Sequence, residues 1–316
     1  MKFLLIDTVH PSLPGLLQEA GHQCAAGESL TRPEILKVIP GYDGIIIRSR
    51  ILIDREFLDQ AVRLKVIGRI GAGMECIDVN YASAKKIACL NSPEGNRDAV
   101  GEHAIGMLLM LFNKLHKANA EVKQGLWIRE ANRGTELAAK TVGIVGYGNM
   151  GNAFAKKLSG FGCNVLAYDK YKSNFSDAFA REASMDEIFE QTDILSLHVP
   201  LTPETTFLAD DAYINSFRKN IYIVNTARGK CIRTTDLVKN LRSGKVRGAC
   251  LDTIEYEETS FEKFDARIPG SEKNPDWEYL CSSDQVVLSP HIAGWTVESL
   301  EKLARILAGK IIDHFR

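Results

Sequence analysis

Short apolar runs alternate with helix-length segments along most of this chain, and that alternation predicts βα units and a parallel sheet. Residues 2–6 (KFLLI) read as a first strand and 14–20 as a helix, with Pro14 near its start. The run 42–48 (YDGIIIR) has the continuous apolar character of a buried parallel strand and ends in the polar Arg48-Ser49-Arg50. Residues 64–68 (LKVIG) and 86–90 (KIACL) repeat the pattern, and 91–96 (NSPEGN) breaks it with turn residues, which predicts a linker. The segment 98–117 has so few polar positions that it predicts a helix needing cover on most sides, between domains or in a subunit interface. Beyond a polar arm at 125–134, strands are expected at 141–145, 165–168, 194–198, 221–225, 248–252 and 286–289. Helices are expected at 153–158, 184–190 and 235–243, with Ser184 and Glu187 forming a capping box. The span 253–281 reads as a long charged loop. From 297 onward, Leu300, Leu303, Ile306, Leu307 and Ile311 mark one helical apolar stripe.

The most informative stretch is 141–170, TVGIVGYGNMGNAFAKKLSGFGCNVLAYDK. It reads strand, glycine turn, helix, strand, acid, within one βαβ unit. Gly146 allows a tight turn, Gly148 lets the backbone approach a pyrophosphate, and Gly151 lets the helix pack close to the sheet. The helix N-terminus offers N–H groups to phosphates. A dinucleotide site is therefore expected at Gly146, Tyr147, Gly148, Asn149, Met150 and Gly151, with Asp169 accepting from ribose hydroxyls. The charge of Asp169 would repel a 2′-phosphate, which favours NAD; Lys170 beside it weakens that preference.

Composition narrows the field. Of 316 residues 45% are hydrophobic, enough for two real cores, and the net charge of -1 gives no basic excess for nucleic acid or an anionic membrane. No run of 18 uncharged apolar residues exists to span a bilayer, and the N-terminal apolar run meets Asp7 too soon for a signal peptide. The seven cysteines are scattered and lack a C-x-x-C pair, so reduced thiols, a cytoplasmic location and no metal site are expected. A second glycine turn, Gly71 and Gly73, follows the strand at 64–68, where successive backbone N–H groups would form an anion nest. The expected division is a dinucleotide-binding domain at 96–288 and a substrate domain made of 1–95 plus 289–316, with the chemistry in the cleft between them.

Three polar residues stand just beyond strand ends in the cofactor domain: Arg228, Glu257 and His291. Hydride transfer to a ketone develops negative charge on oxygen, so it needs a cation and an acid. The planar fork of Arg228 matches a 2-oxo acid, and His291 can donate and accept a proton near neutrality. Glu257 would orient the imidazole through its other nitrogen. Each residue also has a plainer reading: a surface arginine, a capping histidine, a solvated glutamate. His103, on the long helix, and His198, at a strand end beside the dinucleotide, compete with His291 as bases.

Seven segments in one order carry a resemblance: GRIGAGMECID (68–78), NSPEGNRDAVGEHAIGMLL (91–109), AKTVGIVGYGNMG (139–151), HVPLTPET (198–205), VNTARG (224–229), GACLDTIEYEE (248–258) and LSPHIAGWTVES (288–299). Over essentially its whole length the chain resembles the D-isomer-specific 2-hydroxyacid dehydrogenases. The resemblance implies an α/β fold of two doubly wound parallel-sheet domains, a Rossmann cofactor domain inserted in a flavodoxin-like substrate domain. It implies Arg228 as the substrate arginine, His291 as acid/base, Glu257 as its partner, and Asp252 as a contact of the nicotinamide carboxamide. It extends the cofactor set to His198, Pro200, Thr205, Thr226, Ala227 and Gly294, and gives Ala72 and Gly73 to the substrate carboxylate. Within the family the chain is most similar to the 3-phosphoglycerate dehydrogenases, which would make Arg48, Arg50 and Arg69 phosphate ligands and place the reaction in serine biosynthesis. The expected cofactor is NAD, the expected partner a small 2-hydroxy or 2-oxo acid, and the expected assembly a homodimer; a C-terminal serine-binding domain is not expected. Two alternatives stand beside this: a hydroxypyruvate/glyoxylate reductase, and a non-catalytic NAD(H)-sensing binding protein. Departures from the family pattern are Glu258, where proline is usual, a long segment from 257 to 291, and Trp295, expected to narrow the pocket near His291. Phe261, Phe264, Trp277 and Tyr279 of that segment would form a lid, a partner-subunit contact or a satellite core.

Overall fold

The computed structural model describes residues 1–257, 265 and 274–316. They divide into two units, one of Met1–Arg97 with Trp295–Arg316, the other of Asp98–Glu257 with the described residues up to 294. Residues 289–294, expected with the first unit, fold with the second, because their backbone is hydrogen-bonded to residues 251 and 252.

The first unit runs β1 (Lys2–Leu5), α1 (Ser12–Glu19), β2 (Gln23–Ala26), α2 (Arg32–Val38), β3 (Gly44–Ile47), α3 (Arg55–Gln60), β4 (Val66–Arg69), α4 (Val79–Ala84) and β5 (Ala88–Asn91). The second runs α5 (Arg97–Phe112), α6 (Leu115–Lys123), β6 (Thr141–Val145), α7 (Asn149–Leu158), β7 (Asn164–Tyr168), β8 (Arg181–Glu182), α8 (Met185–Gln191), β9 (Ile194–Leu197), α9 (Asp211–Ser216), β10 (Ile221–Asn225), α10 (Thr234–Arg242), β11 (Val246–Leu251), α11 (Pro275–Ser282) and β12 (Val286–Leu288). The last helix, α12 (Val297–His314), returns to the first unit.

Both sheets are parallel throughout. The first has the order β2-β1-β3-β4-β5, the second β12-β11-β10-β9-β6-β7-β8. Each order reverses once, between β1 and β3 and between β6 and β9, and such switch points are where doubly wound sheets take ligands. Strands β3, β6 and β9 are buried on both faces, which is why their sequences run apolar without alternation. In the first unit Phe3, Ile46 and Val66 pack on one face with Leu13, Leu17, Leu303, Leu307 and Ile311, while Leu4, Ile45 and Ile67 pack on the other with Ile35, Ile39 and Phe57.

The long apolar helix differs from expectation in two ways. It breaks after Phe112, with Lys114 in the left-handed region (φ 51°), because the returning chain docks there: Thr135 N–H donates to the Phe112 carbonyl and Lys114 Nζ to the Ala131 carbonyl. Its cover comes from its own unit, since Ala104, Leu108 and Leu111 share a core with Val142, Ile144 and Phe154. On α5 Met110 is exposed, and further exposed apolar side chains follow on α6 and the arm, at Leu115, Val122, Leu126, Trp127 and Ile128. The expected loop 253–281 contains α11, whose start is set by the Asn274 side chain accepting from Asp276 and Trp277 N–H, with Pro275 at the first helical position. Trp277 and Tyr279 pack against the second unit's core; Glu258, Phe261 and Phe264 lie outside the described residues. No described helix is long and apolar enough to cross a membrane.

Candidate active site

In the second unit β10, β11 and β12 are neighbours whose last residues, Asn225, Leu251 and Leu288, lie in register. Their carboxyl ends are therefore level, and the loops leaving them carry Arg228, Glu257 and His291. The first loop is shaped by Asn225, fully buried, whose Oδ1 accepts from Ala227 N–H at 3.1 Å and whose Nδ2 donates to the Arg228 carbonyl at 3.0 Å. An Arg228 guanidinium nitrogen donates to the Ala227 carbonyl at 2.6 Å. A side chain at Gly229 would lie 2.0 Å from the Ile254 carbonyl oxygen, so only glycine lets the first two loops touch. Thr234 N–H then donates to the Glu255 carboxylate at 2.8 Å and ties them further.

His291 Nδ1 and Glu257 Oε2 are 2.9 Å apart, with the two side chains 22% and 15% exposed. A carboxylate on Nδ1 fixes the ring and its tautomer, which suits the imidazole to proton exchange. His291 has φ 54°, an uncommon conformation for a residue with a Cβ. Its N–H donates to the Asp252 carbonyl at 2.7 Å, and the next two N–H groups, of Ile292 and Ala293, donate to the two Asp252 carboxylate oxygens at 2.9 Å each. Ser289 Oγ donates to Asp252 Oδ1 at 2.6 Å. Burial pushes the Asp252 pKa up, but hydrogen bonds from His103, Ser289, Ala293 and Ile292 outweigh it and hold the carboxyl below its usual value. Asp252 is 1% exposed. The resemblance names it as a cofactor contact; in this structure it is also the carboxylate around which the His291 loop is built.

The glycine turn sits between β6 and α7. Gly146 has φ 94°, and a side chain there would lie 2.6 Å from the His198 carbonyl oxygen; one at Gly151 would lie 2.2 Å from the Gly146 carbonyl. At Gly148 a side chain would meet nothing within 4 Å, so the space a pyrophosphate would need is open. Asn149, Met150 and Gly151 form the first turn of α7, whose N–H groups face that space. Asp169, half-buried at the end of β7, accepts from Tyr147 N–H at 2.9 Å and Tyr171 N–H at 3.0 Å. Lys170 is paired with Glu204 at 2.6 Å.

Whether these residues fit a dinucleotide can be tested on polar atoms left over. Among the described residues His198 Nδ1, Thr226 Oγ1 and Thr253 Oγ1 are buried without a hydrogen-bond partner, and they stand just beyond the ends of β9, β10 and β11. Buried polar groups normally pair, so orphans lined along one sheet edge fit a polar ligand there. His198 Nε2 is held by Ser196 Oγ at 2.8 Å, and burial pushes its pKa down to about 4. Four expected cofactor residues also make contacts within the fold. The Tyr147 side chain is core, stacked on Phe175 and donating to Asp177. The Thr205 hydroxyl donates to the Pro200 carbonyl at 2.6 Å, which uses both residues to close their own loop. The Ala227 N–H is taken by Asn225. Gly294 ends the second unit, half-buried after Ala293.

In the first unit Gly71 has φ 135°, and the Arg69 guanidinium occupies the space a side chain there would need. The carbonyls of Gly71 and Ala72 accept from Ser92 N–H at 3.1 Å and Asn91 Nδ2 at 2.6 Å, which fixes the turn that includes Gly73. Arg48 lies under the Trp295 ring, 3.9 Å from its centroid, and its backbone N–H donates to Asp7 at 2.5 Å. Trp295 thus belongs to the first unit and covers Arg48, where the sequence suggested a role near His291. Arg50 is spread over the Asp7 carboxylate and the carbonyls of Ile6, Gly27 and Leu30, so it braces three segments of its own unit and is a poor phosphate ligand. Sequence reasoning missed Asn225, Ser289 and Thr253. Their only signal was position, one or two residues from the ends of apolar runs.

Comparison with known proteins adds the following. Residues 105–293, more than half of the chain, match the NAD binding domain of the D-isomer specific 2-hydroxyacid dehydrogenases. A D-3-phosphoglycerate dehydrogenase of Archaeoglobus fulgidus is 32% identical over 99% of this chain, which spans only 57% of that protein's length. A hydroxypyruvate reductase of Thermotoga maritima is 34% identical over 90% of this chain and 88% of its own. The solved D-lactate dehydrogenase of Aquifex aeolicus, complexed with NAD and lactic acid, superposes with a TM-score of 0.81 at 27% identity, covering 100% of this chain and 95% of that one.

Proposed function

The chain belongs to the D-isomer specific 2-hydroxyacid dehydrogenases, and from that premise we propose that it interconverts a D-2-hydroxy acid and its 2-oxo acid with NAD(H), the pair being 3-phosphoglycerate and 3-phosphohydroxypyruvate. The observation that carries the reading is the His291–Glu257 pair at 2.9 Å, on a loop level with that of Arg228. When bound, the nicotinamide supplies or takes the hydride. Arg228 holds the substrate and stabilises the charge that develops on its oxygen. In reduction His291 Nε2 protonates that oxygen, with Glu257 on Nδ1 stabilising the imidazolium; in oxidation the same nitrogen accepts the proton. Gly148 and the start of α7 hold the pyrophosphate, and Asp169 the adenosine ribose. The ion pair of Lys170 with Glu204 leaves Asp169 as the unbalanced charge, which supports NAD over NADP.

A second reading, a hydroxypyruvate or glyoxylate reductase, is favoured by the commitment of Arg50 to its own unit. In the phosphoglycerate reading Arg48 and Arg69 then serve the phosphate without it. The test is NADH consumption with 3-phosphohydroxypyruvate, hydroxypyruvate, glyoxylate and pyruvate, native protein beside His291→Ala. Preference for the phosphorylated substrate supports the first reading, and preference for an unphosphorylated acid the second. The His291→Ala turnover is expected to fall by about a hundredfold to ten-thousandfold. NADH binding without turnover by the native protein would leave only a sensing role.

A further inference from the structure

A chain of hydrogen bonds runs from the His291 loop back to α5. His103 Nε2 lies 2.9 Å from Ser289 Oγ and 3.4 Å from Asp252 Oδ1. Ser289 Oγ donates to Asp252 Oδ1 at 2.6 Å, and the Asp252 carboxylate receives the N–H groups of Ile292 and Ala293. The Ser289 hydroxyl has one proton and two acceptors within reach, the second being Met107 Sδ at 3.6 Å. Since a hydroxyl that donates to Asp252 meets His103 with a lone pair, His103 must carry its hydrogen on Nε2. That contact keeps the serine proton from turning to His103, and the carboxylate at 2.6 Å outcompetes the weakly accepting thioether for it.

The plain alternative is a histidine that fills a gap in the core. Geometry argues for more. Three successive N–H groups, of His291, Ile292 and Ala293, all turn toward Asp252, and this wraps the loop tightly enough to force His291 into the left-handed region at φ 54°. A non-glycine residue stays there only where its surroundings over-determine it. The Asp252 carboxylate is the centre of that constraint, and at 1% exposure it depends on protein donors alone. Among the described residues His103 and Ser289 are its side-chain donors, beside the N–H groups of Ile292 and Ala293.

Resting on the reading of His291 as acid/base, we propose that His103 and Ser289 are positioning residues, which act through Asp252 to hold the His291 imidazole in its working orientation. Neither touches substrate in this role. Loss of His103 takes a donor from Ser289 Oγ and from Asp252 Oδ1, which frees the Ser289 side chain to shift, weakens the grip of Asp252 on the loop, and misplaces the imidazole without altering the glycine turn.

The test compares His103→Leu, His103→Gln and Ser289→Ala with native protein and His291→Ala. The readouts are thermal melting, NADH affinity by fluorescence, and kcat and KM with 3-phosphohydroxypyruvate and with hydroxypyruvate. His103→Leu should lose about tenfold to a hundredfold in kcat, the scale of a small misplacement of a reacting group, and keep its NADH affinity within about twofold. His103→Gln, which keeps an N–H donor, should recover most of the loss, and Ser289→Ala should resemble His103→Leu. Native kcat in a folded His103→Leu overturns the proposal, as does a loss carried by NADH affinity or one that His103→Gln shares in full. If His103→Leu does not fold, Ser289→Ala, which removes a single oxygen, decides on the same criteria. Full turnover in His291→Ala would sink the acid/base reading itself, whereas an inactive His291→Ala beside a fully active His103→Leu would remove only the positioning role.

Discussion

Asp169 and Asp252 are each the first residue after a strand of the second sheet, and the sequence suggests the same task for both. Their surroundings differ. Asp169 is half-buried and receives two backbone N–H groups from nearby turns, so it keeps a face toward solvent. Asp252 is sealed at 1% exposure and takes donors from a helix and a loop remote in sequence. In the proposed function the first acid meets the cofactor, while the second holds a loop. The type of residue and its register on the strand are the same, and the donors that the rest of the chain brings decide between the roles.

The sharpest break of this contrast is Asp252→Ala. It strips two backbone N–H groups and the Ser289 hydroxyl of a buried acceptor, so the unfolding free energy in urea should fall by roughly 3 kcal/mol. His198 offers a pH test at the same sheet edge. Its pKa is about 4 in the fold against 6.5 for a free histidine. The unfolded chain therefore takes the proton first as pH falls, so its contribution is full above about 6.5 and lost on the way down to 4. Stability should drop by about 2 kcal/mol between pH 7 and pH 5 from this group, and His198→Gln should lack that part of the pH dependence in urea titrations. The smallest effect belongs to Asp169→Ser. It should raise the NADH KM about tenfold, close to 1.4 kcal/mol, and narrow the preference over NADPH, while the urea midpoint shifts by less than about 0.5 kcal/mol. A large stability loss in Asp169→Ser would erase the distinction between the two acids.

Much of this was legible in the chain. Runs such as GIII and TVGIV could only be buried parallel strands, and Gly146, Gly148 and Gly151 announced their turn because their spacing reflects backbone geometry alone. The pairing of His291 with Glu257 was also expected, and the structure places them at 2.9 Å. What was hidden depended on partners remote in sequence. β2 (QCAA) is an edge strand with little apolar character of its own, and it exists because β1 pairs with it. The break at Lys114 has no local signal, since residues 131 and 135 impose it from outside. Arg50 looked like a ligand because a sequence cannot show that three backbone carbonyls converge on one guanidinium.

The return of α12 to the first unit has a consequence for the order in which the molecule is made. Phe3, Ile46 and Val66 leave the ribosome early, yet the face they share is closed by Leu303, Leu307 and Ile311. Between Arg97 and Trp295 the whole second unit must be translated, which at ordinary elongation rates takes about 10–40 s. Through that interval one side of the nascent first sheet has the cover of α1 and still lacks that of α12, while the second unit can already close on its own residues. The strands of the first unit are therefore born before the second unit and mature after it.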